Sequence, residues 1–305
     1  MTDRRPAVRR NSGIPLPSGA CDCHMHVFGP YARFPLAEAR SYTPPESTLA
    51  RYRETARVLG LQRVVIVQPS VYGIDNRCLS AALQECDGAA RGIAVIDEST
   101  TDGTLDYLDR IGVRGVRLNA LSSGRTDPGA LAAGLDATAR RIKGLGWHIQ
   151  IYADLGQVEA SAAAIAACPV PVVIDHFACA RGALGIAQTG FRTLLRLVAE
   201  GSAWVKLSGA DRLSDAGPGY ADMAPLVEAL CAANPDRLLW GSDWPHTPMH
   251  SHGREKGPRA AAFRDVDDGG LLAALAAWLR DDDQLRRVLV TNPANLYGFE
   301  TKEPG

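Results

Sequence analysis

Short runs of β-branched and apolar residues recur along the chain, each separated from the next by a longer stretch in which Ala, Leu and Arg repeat at helical spacing. The runs fall at 20–26, 63–68, 92–96, 113–118, 147–152, 172–176, 203–207 and 237–240 and predict eight strands. Helices are predicted at 47–59, 75–86, 128–145, 155–167, 189–200, 220–233 and 270–290. Such alternation favours a parallel sheet with helices packed outside it, because each parallel crossover needs a connection of helical length. Eight units closing on themselves make an α/β fold, the (β/α)8 TIM-type barrel, for which 305 residues are ample. A doubly wound open sheet is the alternative, but no Gly-rich phosphate fingerprint follows the first strand. No composition shift or Gly/Ser linker divides the chain, which reads as an N-terminal extension over 1–19 and one barrel domain over 20–300. The polar regions 29–45, 121–128, 211–219 and 245–268 each follow a predicted strand. In a barrel, those are the loops that build the active-site face.

Composition narrows the partners. With 46% hydrophobic and 22% charged residues the chain can bury a substantial core. Its 33 Lys+Arg against 34 Asp+Glu give a net charge of −1, so no broad attraction to nucleic acid or to an anionic membrane is expected. Any acidic ligand must be held by local arginines. The basic start runs into Ile14-Pro15-Leu16-Pro17 instead of the apolar core of a signal peptide, and no stretch of about 18 apolar residues suggests a membrane span. Seven cysteines, mostly inside apolar segments, read as reduced, buried thiols of a cytoplasmic protein. Association into a homo-oligomer is left open.

Three places carry chemistry. In Cys21-Asp22-Cys23-His24-Met25-His26, a period of two puts Asp22, His24 and His26 on one face and the cysteines with Met25 on the other. Two imidazoles at the end of a first barrel strand can bind a metal or polarise an oxygen; a pair of solvated or core histidines is the plainer alternative. The apolar strand Val172-Val173-Ile174-Asp175 ends in His176, which is catalytic or structurally satisfied. In Trp240-Gly241-Ser242-Asp243-Trp244-Pro245-His246, Asp243 leaves an apolar strand beside tryptophan and histidine. It either takes a proton from water or caps the turn before Pro245.

Taken in order, residues 23–30, the strand-end His176, residues 240–246 and residues 291–297 resemble the amidohydrolase superfamily. More narrowly they resemble its 2-pyrone-4,6-dicarboxylate hydrolase and 4-sulfomuconolactone hydrolase group, over about 22–299. The resemblance implies a barrel in which Asp243 activates water while His24, His26 and His176 surround the carbonyl of a small acidic lactone. It also implies Tyr42, Ser70, Arg117, Tyr152, Arg212 and His246 as substrate-binding residues; Arg125 is a further substrate-binding candidate, with a plain surface role as the alternative. Guanidinium forks suit a substrate with two acidic groups in a pocket that partly excludes water. The pyrone hydrolases carry a Lys-Arg pair after the fourth strand and an arginine soon after the sixth-strand histidine. Here these stretches read Ala120-Leu121-Ser122-Ser123-Gly124-Arg125 and His176-Phe177-Ala178-Cys179, which opens the reading to a related ring such as a sulfomuconolactone.

Many amidohydrolases hold zinc through His-x-His, further histidines and the last-strand Asp. If a metal is bound here, its ligands are His24, His26, His176 and Asp243. Arg117 and Tyr152 stand at strand ends where further ligands would be expected, so a site requiring no cofactor is the expectation, with one zinc as the alternative. A sugar-lactone hydrolase, a metal-dependent decarboxylase of an aromatic or muconic acid, and a non-catalytic barrel that binds small acids are the competing readings.

Overall fold

The eight β-type runs become one parallel sheet whose neighbours follow chain order: β1 Cys21–Met25, β2 Arg63–Val67, β3 Ala90–Ala94, β4 Val113–Asn119, β5 His148–Tyr152, β6 Val172–Ile174, β7 Ala203–Ser208 and β8 Leu238–Gly241. The computed structural model describes residues 12–120, 128–248 and 260–300. The sheet closes where its first and last strands meet. Asp243 N donates to His24 O at 2.8 Å, and His26 N donates to Trp244 O at 2.9 Å. A Cβ on Gly241 would lie 2.5 Å from His24 Cβ, so only glycine lets the two strands approach this closely. The architecture is the (β/α)8 barrel.

Helices α1 Leu49–Leu59, α2 Arg77–Gln84, α3 Asp102–Arg110, α4 Pro128–Ile142, α5 Leu155–Ala160, α6 Ala162–Ala166, α7 Phe191–Ala199, α8 Ala210–Leu213, α9 Ala224–Ala233, α10 Asp268–Trp278, α11 Asp282–Arg286 and α12 Asn292–Tyr297 follow. Helix α3 has no counterpart in the sequence reading, because only Leu105 and Leu108 of its nine residues are buried. Thr101 starts it by accepting from Thr104 N. The helix expected over 155–167 breaks at Ser161 into α5 and α6. The one expected over 270–290 also breaks. Leu279 turns extended, and Asp281 caps a new helix by accepting from Gln284 N. A wide π turn, Arg287–Thr291, then leads into α12, whose Pro293 has no N–H to continue an α ladder. Among the described residues no helix is long and apolar enough to cross a membrane. All seven cysteines are free.

Strand β1 departs from simple alternation. Asp22 pairs with Val64 but Met25 with Ile66, so β1 carries one extra residue. Before this bulge, Cys21 and Cys23 face the interior with Val65, Val67, Ile93, Val173 and Leu239, above a floor of Tyr297 and Phe299. Asp22 turns toward α1, where Tyr52 Oη donates to it at 3.0 Å and Ser242 Oγ at 2.6 Å. The bulge then brings His24 to the same side as His26. The expected grouping of Asp22 with the two histidines, opposite the cysteines, is thereby corrected.

Candidate active site

Asp243 leaves β8 in a left-handed conformation, φ 62°, which a short polar side chain tolerates. Its Oδ2 accepts from Arg212 Nε at 2.9 Å and Nη2 at 2.7 Å. Its Oδ1 faces three imidazole nitrogens: His26 Nε2 at 3.7 Å, and His24 Nε2 and His176 Nε2 each at 3.9 Å. These spacings are too long for direct hydrogen bonds and leave room for one small bridging species.

The far side of each ring is anchored. His26 Nδ1 lies 2.8 Å from Val67 O, and since a carbonyl only accepts, the proton sits on Nδ1 and leaves the Nε2 lone pair toward the cleft. His176 Nδ1 meets Ser208 Oγ at 2.8 Å. Strand β6 ends at Ile174, two residues before the sequence suggests, and His176, Phe177, Ala178 and Cys179 all take positive φ between 49° and 56°. Gly209 makes room for the His176 ring, since a Cβ there would lie 3.2 Å from Nδ1.

Burial pushes the Asp243 carboxyl up, but Arg212 and the three histidines outweigh it and hold the group well below the usual carboxylate range. Burial lowers all three imidazoles, with Arg117 helping to bring His26 down to about 4. At neutral pH the site is therefore an ionised carboxylate, paired with Arg212, facing neutral rings.

Beneath the rings lies a second layer that the sequence reading did not anticipate. Asp175 Oδ2 accepts from Arg117 Nε, Arg117 Nη2 and Gln150 Nε2, each at 3.0 Å. Lys206, fully buried on β7, donates to Gln150 Oε1 at 2.6 Å and lies 3.3 Å from His24 Nδ1. The signal was present, since Lys206 is a charge inside the apolar run Ala203-Trp204-Val205-Lys206-Leu207 and Gln150 shares a strand face with Tyr152. His148 also points inward but sits lower, its ring 5.3 Å from that of Tyr297.

Above the rings opens a narrow cleft. Tyr42, Ser70, Arg117, Tyr152 and Arg212 line it with His26, His176 and Asp243, and Asn119 and Thr247 join them without having been foreseen. His246 does not reach this wall. It is buried with Nε2 at 2.8 Å from Asp268 Oδ1, at the start of α10. Arg125 lies outside the described residues. Of the three expected substrate-binding arginines, the two among the described residues each commit two N–H groups to a protein carboxylate, Arg117 to Asp175 and Arg212 to Asp243. A third arginine, Arg264, pairs with Asp211 and brings Nη2 to 3.9 Å from Asp243 Oδ2.

A family model described as amidohydrolase matches residues 21–299. The chain belongs to the amidohydrolase family. It is 39% identical to a 4-sulfomuconolactone hydrolase of Rhizobium radiobacter over 93% of this chain and 91% of that one. It is 34% identical to a 2-pyrone-4,6-dicarboxylate hydrolase of Comamonas testosteroni over 92% and 91%. A solved structure from Pseudomonas putida, provisionally named 2-pyrone-4,6-dicarboxylic acid hydrolase, superposes with TM-score 0.77 at 32% identity, covering 94% of this chain and all of that one.

Membership in this family raises the question of a metal, and the donor set fits one. His24, His26 and Asp243 form one buried trio of ligand atoms and His24, Asp175 and His176 another. His24 Nε2 has no hydrogen-bond partner. Imidazole nitrogens with a carboxylate oxygen suit zinc. His24, His26, His176 and Asp243 would hold it, and the ion would supply a more acidic bound water. Asp175 was not foreseen among these atoms, and Arg117 and Lys206 place two cations beside it.

Proposed function

We propose that the enzyme hydrolyses a small lactone bearing acidic groups, opening its ring with water activated by Asp243. The observation that carries this reading is the convergence of Asp243 Oδ1 with three neutral imidazoles at the foot of an arginine- and tyrosine-lined cleft. The hydrolases of 4-sulfomuconolactone and 2-pyrone-4,6-dicarboxylate among its relatives support the substrate class.

In the proposed reaction Asp243 takes a proton from a water in the gap between its Oδ1 and the rings. The resulting hydroxide adds to the lactone carbonyl, and the positive field of Arg117 and Arg212 stabilises the oxyanion. The ring C–O bond then breaks, and the departing oxygen takes the proton from Asp243. Tyr42, Ser70, Tyr152, Asn119, Arg117 and Arg212, which line the cleft, orient the acidic groups. We read the reaction as metal-independent, because Arg212 already neutralises Asp243 and a lactone ester is reactive enough for hydroxide delivered by a carboxylate. A single zinc is the second reading, favoured by the donor set alone. The sequence character of the chain and its relatives fits a cytoplasmic enzyme of aromatic-compound catabolism.

The test is ring opening measured on 4-sulfomuconolactone, 2-pyrone-4,6-dicarboxylate and neutral sugar lactones, with and without excess chelator. Turnover confined to the acidic lactones and unchanged by chelator is expected. Loss of activity with chelator and rescue by zinc would establish the metal route, and release of CO2 without ring hydrolysis would replace the lactonase reading by a decarboxylase.

A further inference from the structure

His24 Nδ1 has two neighbours at the same distance with opposite demands. Lys206 Nζ, a pure donor, and Asp175 Oδ1, a pure acceptor, each lie 3.3 Å away. The proton can sit on Nδ1 for Asp175 or on Nε2 with Nδ1 accepting from Lys206. Donor and acceptor matching decides between them. Among the described residues the Lys206 ammonium has two acceptors within hydrogen-bond distance, Gln150 Oε1 at 2.6 Å and His24 Nδ1 at 3.3 Å, with Asp175 Oδ1 farther off at 3.7 Å. A proton on Nδ1 would turn an N–H against an N–H of the lysine and leave the buried ammonium with Gln150 Oε1 as its one acceptor within hydrogen-bond distance. The competing contact is poorly aligned, since Asp175 Oδ1 has no hydrogen-bond partner in spite of its closeness to the ring. Asp175 depends little on it, because its Oδ2 already accepts three N–H groups from Arg117 and Gln150.

We propose that Lys206 is a positioning residue that holds His24 as the Nε2–H tautomer, so that His24 presents a hydrogen-bond donor to the substrate oxygen beside Asp243. The two histidines of the His24-x-His26 pair then differ in function. His26, with its proton fixed on Nδ1 by Val67 O, offers a lone pair that can orient the attacking water. His24 offers an N–H that strengthens its bond as the carbonyl oxygen gains charge. A shared face of two equivalent imidazoles becomes an acceptor beside a donor. The kinetic role, unlike the tautomer itself, rests on the lactone-hydrolase reading.

The experiment is ¹⁵N NMR of the full-length protein labelled at histidine, with the His24 ring assigned by its loss in His24→Gln, alongside kinetics of Lys206→Met and Lys206→Arg. In the wild type at neutral pH, Nδ1 of His24 is expected at a pyridine-type shift and Nε2 at a pyrrole-type shift. Lys206→Met exchanges the two assignments and lowers kcat by about 10²-fold with KM changed less than about threefold. Lys206→Arg, which keeps a donor, retains the wild-type tautomer and recovers part of kcat. A pyrrole-type Nδ1 in the wild type overturns the proposal, and this measurement needs no substrate and no folded Lys206 variant. An unchanged kcat in a folded Lys206→Met overturns the kinetic role. If the wild type opens no acidic lactone, the functional reading fails while the tautomer is still decided by the spectrum.

Discussion

Arg212 and Asp243 act as one unit, because both polar edges of the contact are direct hydrogen bonds at 2.7–2.9 Å. An always-charged guanidinium on Oδ2 keeps the carboxylate ionised and leaves Oδ1 facing the three imidazoles. Removing it with Arg212→Met leaves burial as the dominant influence, which raises the Asp243 pKa. In the proposed reaction the active form is the carboxylate, so the acidic limb of the kcat/KM profile is expected to move to higher pH. A profile measured between pH 4 and 9 checks this, and an acidic limb that stays in place would assign the limb to another group. Most of these side chains were legible singly, since strand-end histidines and a strand-exit aspartate are visible in the sequence. Their partners were not. That Arg117 and Arg212 face protein carboxylates instead of solvent, or that His246 turns to Asp268, depends on contacts across 22–58 residues of chain that no local spacing encodes.

The elements were read well where hydrophobic periodicity controls them and poorly where a single residue breaks it. All eight strands fall where the apolar runs predict them, because a barrel strand buried on both faces is an uninterrupted apolar run. The amphipathic stripe of α3 was too narrow to register, and the bulge in β1 inverted the alternation on which the face assignment rested. A bulge leaves no compositional trace, yet it delivers His24 to the site. The β1–β8 seam is the element on which the proposed reaction most depends, since its backbone bonds hold His24, His26 and Asp243 together. Gly241→Ala would place a methyl 2.5 Å from His24 Cβ, so the seam must open. The expected cost is about 1–3 kcal/mol of stability and about a 10²-fold loss in kcat from misplacement of the rings. Parallel denaturant titration and kinetics read both, and a variant with wild-type turnover would show that the seam tolerates more slack than its geometry implies.

At the scale of the whole molecule, the barrel interior has buried four histidines as neutral groups. His24, His26, His148 and His176 are all lowered by burial, His26 to about 4 and His148 to about 3. In the unfolded chain they titrate near about 6.5. Above that value both states are neutral and no penalty arises; as pH falls below it the unfolded state binds protons that the folded state refuses, down to about 4 for His26 and about 3 for His148. Stability therefore drops steeply on acidification from about pH 6.5, by about 1.4 kcal/mol per pH unit for each histidine in its window. The carboxylates Asp175 and Asp243, held well below their usual range, add their own loss only at lower pH. Guanidinium midpoints at pH 7.5, 6.5 and 5.5 should fall in that order, and His148→Leu should reduce the slope by one proton. A flat series would mean that the interior histidines are protonated in the folded barrel.

The same interior that makes the fold acid-sensitive gives Asp243 its setting, and the central claim is that this carboxylate activates the water that opens the ring. The direct measurement is the rate of ring opening of the best acidic lactone by the wild type and by Asp243→Asn at matched folded concentration. The account predicts a fall in kcat of about 10³-fold or more with substrate still bound. Turnover by Asp243→Asn equal to that of the wild type would contradict it.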